Sequence, residues 1–335
     1  METPPRKSRK LSSENVQGIS SPIRIPASPM MKTLGFGSGV KVYRLDRSPR
    51  RGQIRSPWAV KRITQDALEK KDLVFNKRIL HEAEILRKLK HPNIVGFCGL
   101  VTSAEGLNTL VLEICGSSLG SMLDDRHEED LGPLPAEYTI KVITDVARAL
   151  DFLHTEARVL HGDIKSFNVL INGEFENCKL CDFGVALPLD EHGQVHLHKD
   201  GSPLYEGTDL WSAPEVIKHS KILDSKADIF SFGLVIYETL ALVPPHTLEM
   251  DCGDNKENLT DSDLIEDLSD FTESSLLLPY GMRPALPVAF QVSEEHDSIV
   301  AMFFLCTNTS LEDRPDARTI LQSFEKGAIK PTVHD

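Results

Sequence analysis

Apolar positions alternate with polar ones through the first third of the chain and recur at helical spacing through the rest. LGFGSGVKVYRL and SPWAVKRI have the period of half-buried strands, with a long Ser/Pro/Arg/Gly-rich connection between them. Residues 70–89 follow as an amphipathic helix that places Ile79, Ala83, Leu86 and Leu89 on one face. HPNIVGFCGLV and TLVLEIC supply two further β-like runs. After Gly116 the spacing turns helical, and residues 137–154, 226–242 and 294–306 suit buried helices. Strands followed by helices predict an α+β fold of two lobes: a small β-rich lobe over about 30–113 and a larger helical lobe over about 117–326, joined near residues 113–117. No internal repeat is present. Residues 1–29, rich in Ser, Pro, Lys and Arg, form a disordered basic tail, and residues 327–335 a C-terminal one.

Charge changes this picture in one place. The 335 residues carry a formal net charge of −13, which argues against direct nucleic-acid binding. Residues 249–273 hold ten Asp or Glu against one Lys, so an acidic insert over about 249–278 interrupts the helical lobe. Its plainest reading is a solvated loop. Six cysteines are scattered, and the Cys178/Cys181 pair has no second pair to complete a zinc site, as expected of reduced thiols. With no apolar run of membrane-spanning length and no leader-like start, the expectation is a soluble chain of the cytoplasm or nucleus, without a membrane partner.

Five segments carry chemistry. Gly35-Phe36-Gly37-Ser38-Gly39 lies between two strands, where glycines let backbone amides approach phosphate oxygens. Lys61 ends the run Ala59-Val60-Lys61 and needs a carboxylate; Glu82 and Glu84 are both available, and Glu82 lies on the side nearer Ile79 and Leu86. In His161-Gly162-Asp163-Ile164-Lys165-Ser166-Phe167-Asn168, Asp163 suits a general base, Lys165 a phosphoryl contact and Asn168 a neutral Mg²⁺ ligand. Asp182, in Asp182-Phe183-Gly184, follows 14 residues after Asn168 behind another apolar strand and suits a second metal ligand. Glu215 of Ala213-Pro214-Glu215 pairs on paper with Arg314, and Asp228 opens an apolar helix as an ordinary cap.

In this order and spacing the motifs resemble the protein kinase superfamily over roughly residues 30–326. IPASPMMKTLGFGSGVKVY, SPWAVK, HGDIKSFNV and KADIFSFGL are similar to serine/threonine kinases of mitogen-activated-protein-kinase-kinase type, and to a mitotic branch among them. The resemblance implies a role for each matching position. Leu34, Gly35, Phe36, Gly37, Ser38, Gly39, Val42 and Ala59 would enclose ATP, and Lys61 would hold its α/β-phosphates and pair with Glu82. Leu112 would be the gatekeeper, with the backbones of Glu113 and Cys115 against adenine. Asp163 would be the base, Lys165 the phosphate contact, and Asn168 and Asp182 the Mg²⁺ ligands. Lys165 and Thr208 point to serine or threonine acceptors in protein substrates, with dual specificity left open.

Three departures carry expectations of their own. Gly162 stands where the family has an arginine beside the catalytic aspartate, so loop phosphorylation is not expected to be an obligate switch. Val40 replaces the third glycine of the loop. The end Thr332-Val333-His334-Asp335 lacks the apolar last residue of a PDZ ligand, so PDZ binding is expected to fail. Thr3, Ser21 and Ser48 sit in Ser/Thr-Pro patterns with a following arginine, which fit an upstream cyclin-dependent kinase. A non-catalytic scaffold of the same fold would lack Lys61, Asp163 or Asp182, and all three are present.

Overall fold

The computed structural model describes residues 31–37, 39–50, 53–69, 74–197, 205–247, 280–287 and 293–325. Ser38, Thr3, Ser21, both tails and the acidic insert lie outside the described residues.

Five antiparallel strands build the first lobe: β1 (Lys32–Gly37), β2 (Val40–Arg50), β3 (Gln53–Ile63), β4 (Phe97–Thr102) and β5 (Asn108–Glu113), in the spatial order β1-β2-β3-β5-β4. Sequence reading placed a long connection between the second and third strands. Instead β2 and β3 run 11 residues each, bulged at Leu45/Arg47 and Arg47/Arg50. The reason is local. β1 pairs with β2 only as far as Arg44, so among the described residues β2 beyond it is paired on one side alone, which tolerates Pro49. There the Arg47 guanidinium lies 3.9 Å over the Trp58 ring, which itself packs against the cluster of Met31, Leu45 and Val60.

Two helices lie between β3 and β4: the short α1 (Gln65–Glu69) and α2 (Val74–Leu86). The helix expected over 70–89 is thus shorter at both ends, with 70–73 outside the described residues and Leu89 in the following turn. Its buried residues are Ile79, Glu82, Ala83 and Leu86, while Glu84 is exposed. Of the two glutamates, Glu82 thus faces the interior and Glu84 the solvent.

The second lobe is helical: α3 (Leu119–Glu128), α4 (Ala136–Phe152), α5 (Pro214–Ile217), α6 (Lys226–Ala241), α7 (Asp297–Cys306) and α8 (Ala317–Glu325). Helix α6 is buried on nearly every side, as its continuous apolar run requires. α3 starts at Ser118, whose hydroxyl caps the Ser121 N–H, a signal that the sequence reading passed over. Short strands β6 (Ser117–Ser118), β7 (Val159–Leu160), β8 (Val169–Asn172) and β9 (Asn177–Leu180) lie at the lobe junction.

One continuous apolar core crosses that junction, from Ala59 and Leu86 through Phe183 to Phe230 and Phe303. Backbone bonds reinforce it: Val95 N–H donates to Leu180 O, and Leu180 N–H to Asn93 O, both at 2.9 Å. The segment after α2 is therefore clamped to β9, two residues before Asp182. No described helix is long and apolar enough to cross a membrane.

Candidate active site

Lys61 faces inward from β3, flanked by Val42 on β2 and Leu110 on β5. Its Nζ lies 2.9 Å from Glu82 Oε2 and 2.8 Å from Asp182 Oδ1. Burial opposes a charged lysine here, but the two carboxylates outweigh it and hold Lys61 protonated well above its ordinary range. Glu82 is 1% exposed, and burial pushes its carboxyl up against the pull of Lys61. Asp182 keeps two-fifths of its side chain in solvent; burial would raise it, yet Lys61, with Lys165 and the Gly184 N–H, holds it down to about 2. One ammonium thus organises two acids that respond in opposite directions. Asp182 also has φ +63, a left-handed backbone that turns its side chain at the end of β9.

The catalytic-loop candidates converge more tightly still. Asp163 Oδ1 accepts from Thr208 Oγ1 at 2.6 Å and from Thr208 N at 3.1 Å. Its Oδ2 lies 3.0 Å from both Lys165 Nζ and Asn168 Nδ2. Asn168 Nδ2 also donates to Asp163 O at 2.8 Å, so the amide nitrogen is committed and the amide oxygen is the atom left for a cation. The groups that could hold a cation, the Asn168 amide oxygen and the partly exposed Asp182 carboxylate, offer oxygen alone, which suits Mg²⁺ rather than a softer metal.

Several residues that sequence reading gave no role hold this loop. Asp228, read as an ordinary helix cap, accepts from His161 N (Oδ2, 2.8 Å) and Gly162 N (Oδ1, 2.9 Å), with His154 Nε2 2.8 Å from Oδ2. Burial would raise its carboxyl, but the His154 contact leads the effects that lower it below its usual range. His161 Nδ1 accepts from Asp163 N at 3.3 Å, which leaves Nε2 as the protonated nitrogen, 3.0 Å from Cys181 O. Its ring sits 4.7 Å from that of the fully buried Phe183. Glu238 accepts from Ser166 Oγ at 2.6 Å and Trp211 Nε1 at 2.8 Å, tying the catalytic loop to the segment before α5. A lone carboxylate inside the apolar run of α6 was the signal for it.

Around the expected nucleotide space, Leu34 is 41% exposed at the bulge of β1, opposite the β2 register that carries Val42. Gly35 and the backbones of Phe36 and Gly37 pair with β2, and Gly39 has φ +76 at the turn. Val40 pairs with Gly37 and packs on the core rather than closing the turn. Ala59 and Leu112 are buried and adjacent across β3 and β5. The Glu113 carboxylate is engaged away from this space, by Lys179 Nζ at 2.8 and 2.9 Å and by Gly96 N at 3.0 Å. Gly116 N donates to Ile171 O at 3.0 Å. Burial pushes the Cys115 thiol up to about 11. The Glu215–Arg314 pair forms as read, at 2.8 and 3.2 Å, with Arg314 fully buried beneath it.

Residues 29–324 match the family described as protein kinase domain. The lymphokine-activated killer T-cell-originated protein kinase of Homo sapiens is 39% identical over 324 residues, covering 96% of this chain and 97% of that protein. Serine/threonine-protein kinase VIK of Arabidopsis thaliana is 34% identical over 212 residues, 63% of this chain and 44% of its own. The dual specificity protein kinase shkA of Dictyostelium discoideum is 32% identical over 206 residues, 61% and 36% of the two chains. With that match over nearly its whole length, this chain belongs to the protein kinase family as a serine/threonine kinase that uses ATP and Mg²⁺.

Proposed function

We propose that Asp163 takes the proton of a protein Ser or Thr hydroxyl while Lys61, Lys165, Asn168 and Asp182 stabilise the phosphoryl group that is transferred. The observation that carries this reading is the single hydrogen-bonded cluster of Asp163, Lys165, Asn168 and Thr208. Asp163 is oriented through both oxygens, so its approach to an acceptor is set before substrate arrives. Lys165 Nζ, shared between Asp163 and Thr208, places positive charge where phosphoryl oxygens gain negative charge in the transition state. Lys61, kept charged by Glu82, does the same for the α/β-phosphates. Mg²⁺, held by Asp182 and the amide oxygen of Asn168, would neutralise charge between the phosphates. Adenine would lie between Ala59 and the exposed Leu34, with its edge on the Glu113 and Cys115 backbones and Leu112 behind it. Gly35, Gly37, Gly39 and Val42 would cover the phosphates together with Phe36 and Ser38.

The acceptor is a short hydroxyl in this reading. Lys165, Asp163 and Thr208 stand within 3.0 Å of one another, which favours Ser or Thr over the longer reach of tyrosine. The biological setting we assign is mitotic or MAP-kinase-type signalling, with an upstream cyclin-dependent kinase acting at Thr3, Ser21 or Ser48. Support comes from three Ser/Thr-Pro-type sites near the start of the chain, two of them in the basic tail. The test is direct. Wild type and Asp163→Asn are incubated with radiolabelled ATP, Mg²⁺ and matched Ser, Thr and Tyr peptides. Label on Ser and Thr from wild type alone is the expected result, and faster labelling of Tyr would overturn the acceptor assignment.

A further inference from the structure

The first turns of α2 contact two segments that sequence reading left unconnected to it. Arg78 directs Nε and Nη2 onto one oxygen of Glu206, Oε2, at 3.2 and 2.8 Å, across 128 residues of chain. One turn further along, His81 Nε2 lies 2.7 Å from Ala186 O. Arg78 precedes Glu82 by four residues, so the two stand one above the other on the same helical face. The Arg78 Cβ also lies against Gly184: a methyl built on that glycine would be 3.6 Å from it. A cavity of about 360 Å³ runs between α2 and the Gly184–Leu187 stretch, with Lys77, Arg78 and His81 on one wall and Glu206 as its carboxylate.

Glu206 is placed to matter at its other end as well. It precedes Gly207 and Thr208, and Thr208 holds Asp163. Gly207 approaches the catalytic loop so closely that a Cβ there would collide with Gly162 O. A displacement of Glu206 would therefore be passed to Thr208 by a short and tightly confined stretch of backbone.

We infer that Arg78 and Glu206 are a positioning pair that couples the Lys61–Glu82 ion pair on α2 to the Thr208–Asp163 contact, using a carboxylate encoded in the chain rather than an added phosphate. The inference rests on the kinase reading above. Neither side chain touches the reacting groups. Each is about one-third exposed, so the pair adds little to global stability and acts by fixing where α2 lies.

The test uses full-length, phosphatase-treated protein and compares wild type with Arg78→Glu, Glu206→Arg, the double exchange and Arg78→Lys. Each single reversal is expected to lower kcat roughly three- to tenfold and raise KM for ATP, with KM for the peptide unchanged. The double exchange should recover most of the rate, and Arg78→Lys part of it. Amide hydrogen exchange across residues 74–86 supplies a readout independent of activity: faster in each single variant and restored in the exchange. Single variants with wild-type turnover, or folded variants whose loss the double exchange does not repair, would overturn the pair. An inert wild type with α2 exchange still responding to the reversals would instead defeat the catalytic reading and leave the Arg78–Glu206 pair standing.

Discussion

The Thr208 hydroxyl donates to Asp163 Oδ1 at 2.6 Å and accepts from Lys165 Nζ at 2.9 Å, so one side chain from the segment before α5 joins both charged groups of the catalytic loop. The Thr208 N–H reaches the same aspartate oxygen at 3.1 Å and survives truncation of the side chain, but only the hydroxyl can accept from Lys165. Thr208→Ala should lower kcat about ten- to a hundredfold through misplacement of Asp163 and Lys165. Thr208→Ser keeps the hydroxyl and should stay within several-fold. Steady-state rates on protein never exposed to another kinase check this, and an alanine variant at wild-type rate would remove Thr208 from the mechanism.

Lys61 sits between two carboxylates, and its removal affects them differently. Glu82 is fully enclosed, so without the ammonium it takes up a proton rather than remain a buried unpaired charge. Asp182 keeps solvent access and stays ionised. Lys61→Ala and Asp182→Ala should each lower turnover by roughly two to three orders of magnitude, the usual consequence of deleting a preorganised electrostatic group. Both proteins should unfold cooperatively near the wild-type temperature. Near-wild-type turnover in either would contradict the roles proposed for them.

The groups around the site differ in how readable they were. Lys61, Asp163, Lys165, Asn168 and Asp182 lie in short motifs whose residue types already suit phosphate and metal chemistry, and the helical period singled out the face that carries Glu82. Thr208 was legible too, through its place before Ala213-Pro214-Glu215. Asp228 and Glu238 were not given their parts, because a carboxylate in a helix looks alike whether it meets water or the buried amides of a loop 66 residues away. Glu206 was invisible for the same reason: its meaning lies in a contact with Arg78 that no local spacing encodes. The extended β2–β3 hairpin was missed because Pro and Ser normally signal a loop, and only pairing on one side of β2 makes them tolerable.

Glu238 predicts a pH signature. Burial pushes its carboxyl up to about 8, even though Ser166 and Trp211 donate to it. The folded protein then holds a proton that the unfolded chain has released above 4.5. Its contribution to stability is complete below 4.5 and is lost as pH rises through about 8. Glu238→Gln is neutral throughout, so the decline of Tm across that window should be shallower in the variant than in wild type. A Tm–pH slope identical in the two proteins would show that Glu238 ionises normally in the fold.

Gly162 brings the last prediction. It has φ +77, and a Cβ at that position would sit 3.2 Å from Val185 O and 3.8 Å from the Tyr205 ring. Tyr205 packs beside the cluster of Leu160, Leu187, Leu189 and Val195, and burial, followed by the nearby Asp228 and Asp163 charges, raises its phenol well above the ordinary range. An aromatic ring thus lies against the catalytic loop beside the Cβ that any other residue at position 162 would carry, and it is held by packing. Gly162→Ala should cost about 1–2 kcal/mol from the left-handed backbone alone. Gly162→Arg should be less stable still and gain no activity, because its side chain must displace the ring before it can reach any phosphate. Tyr205→Phe retains the packed ring and should stay within several-fold of wild-type turnover. Tyr205→Ala opens a hole beside Gly207, whose own built Cβ meets the ring at 2.7 Å, and should lose both Tm and rate. Phosphatase-treated wild type is the control, since a segment held by packing is active without phosphate. Loss of nearly all activity on that treatment, regained when mass spectrometry finds phosphate on Tyr205 or Ser202, would show that the anchor is charge after all.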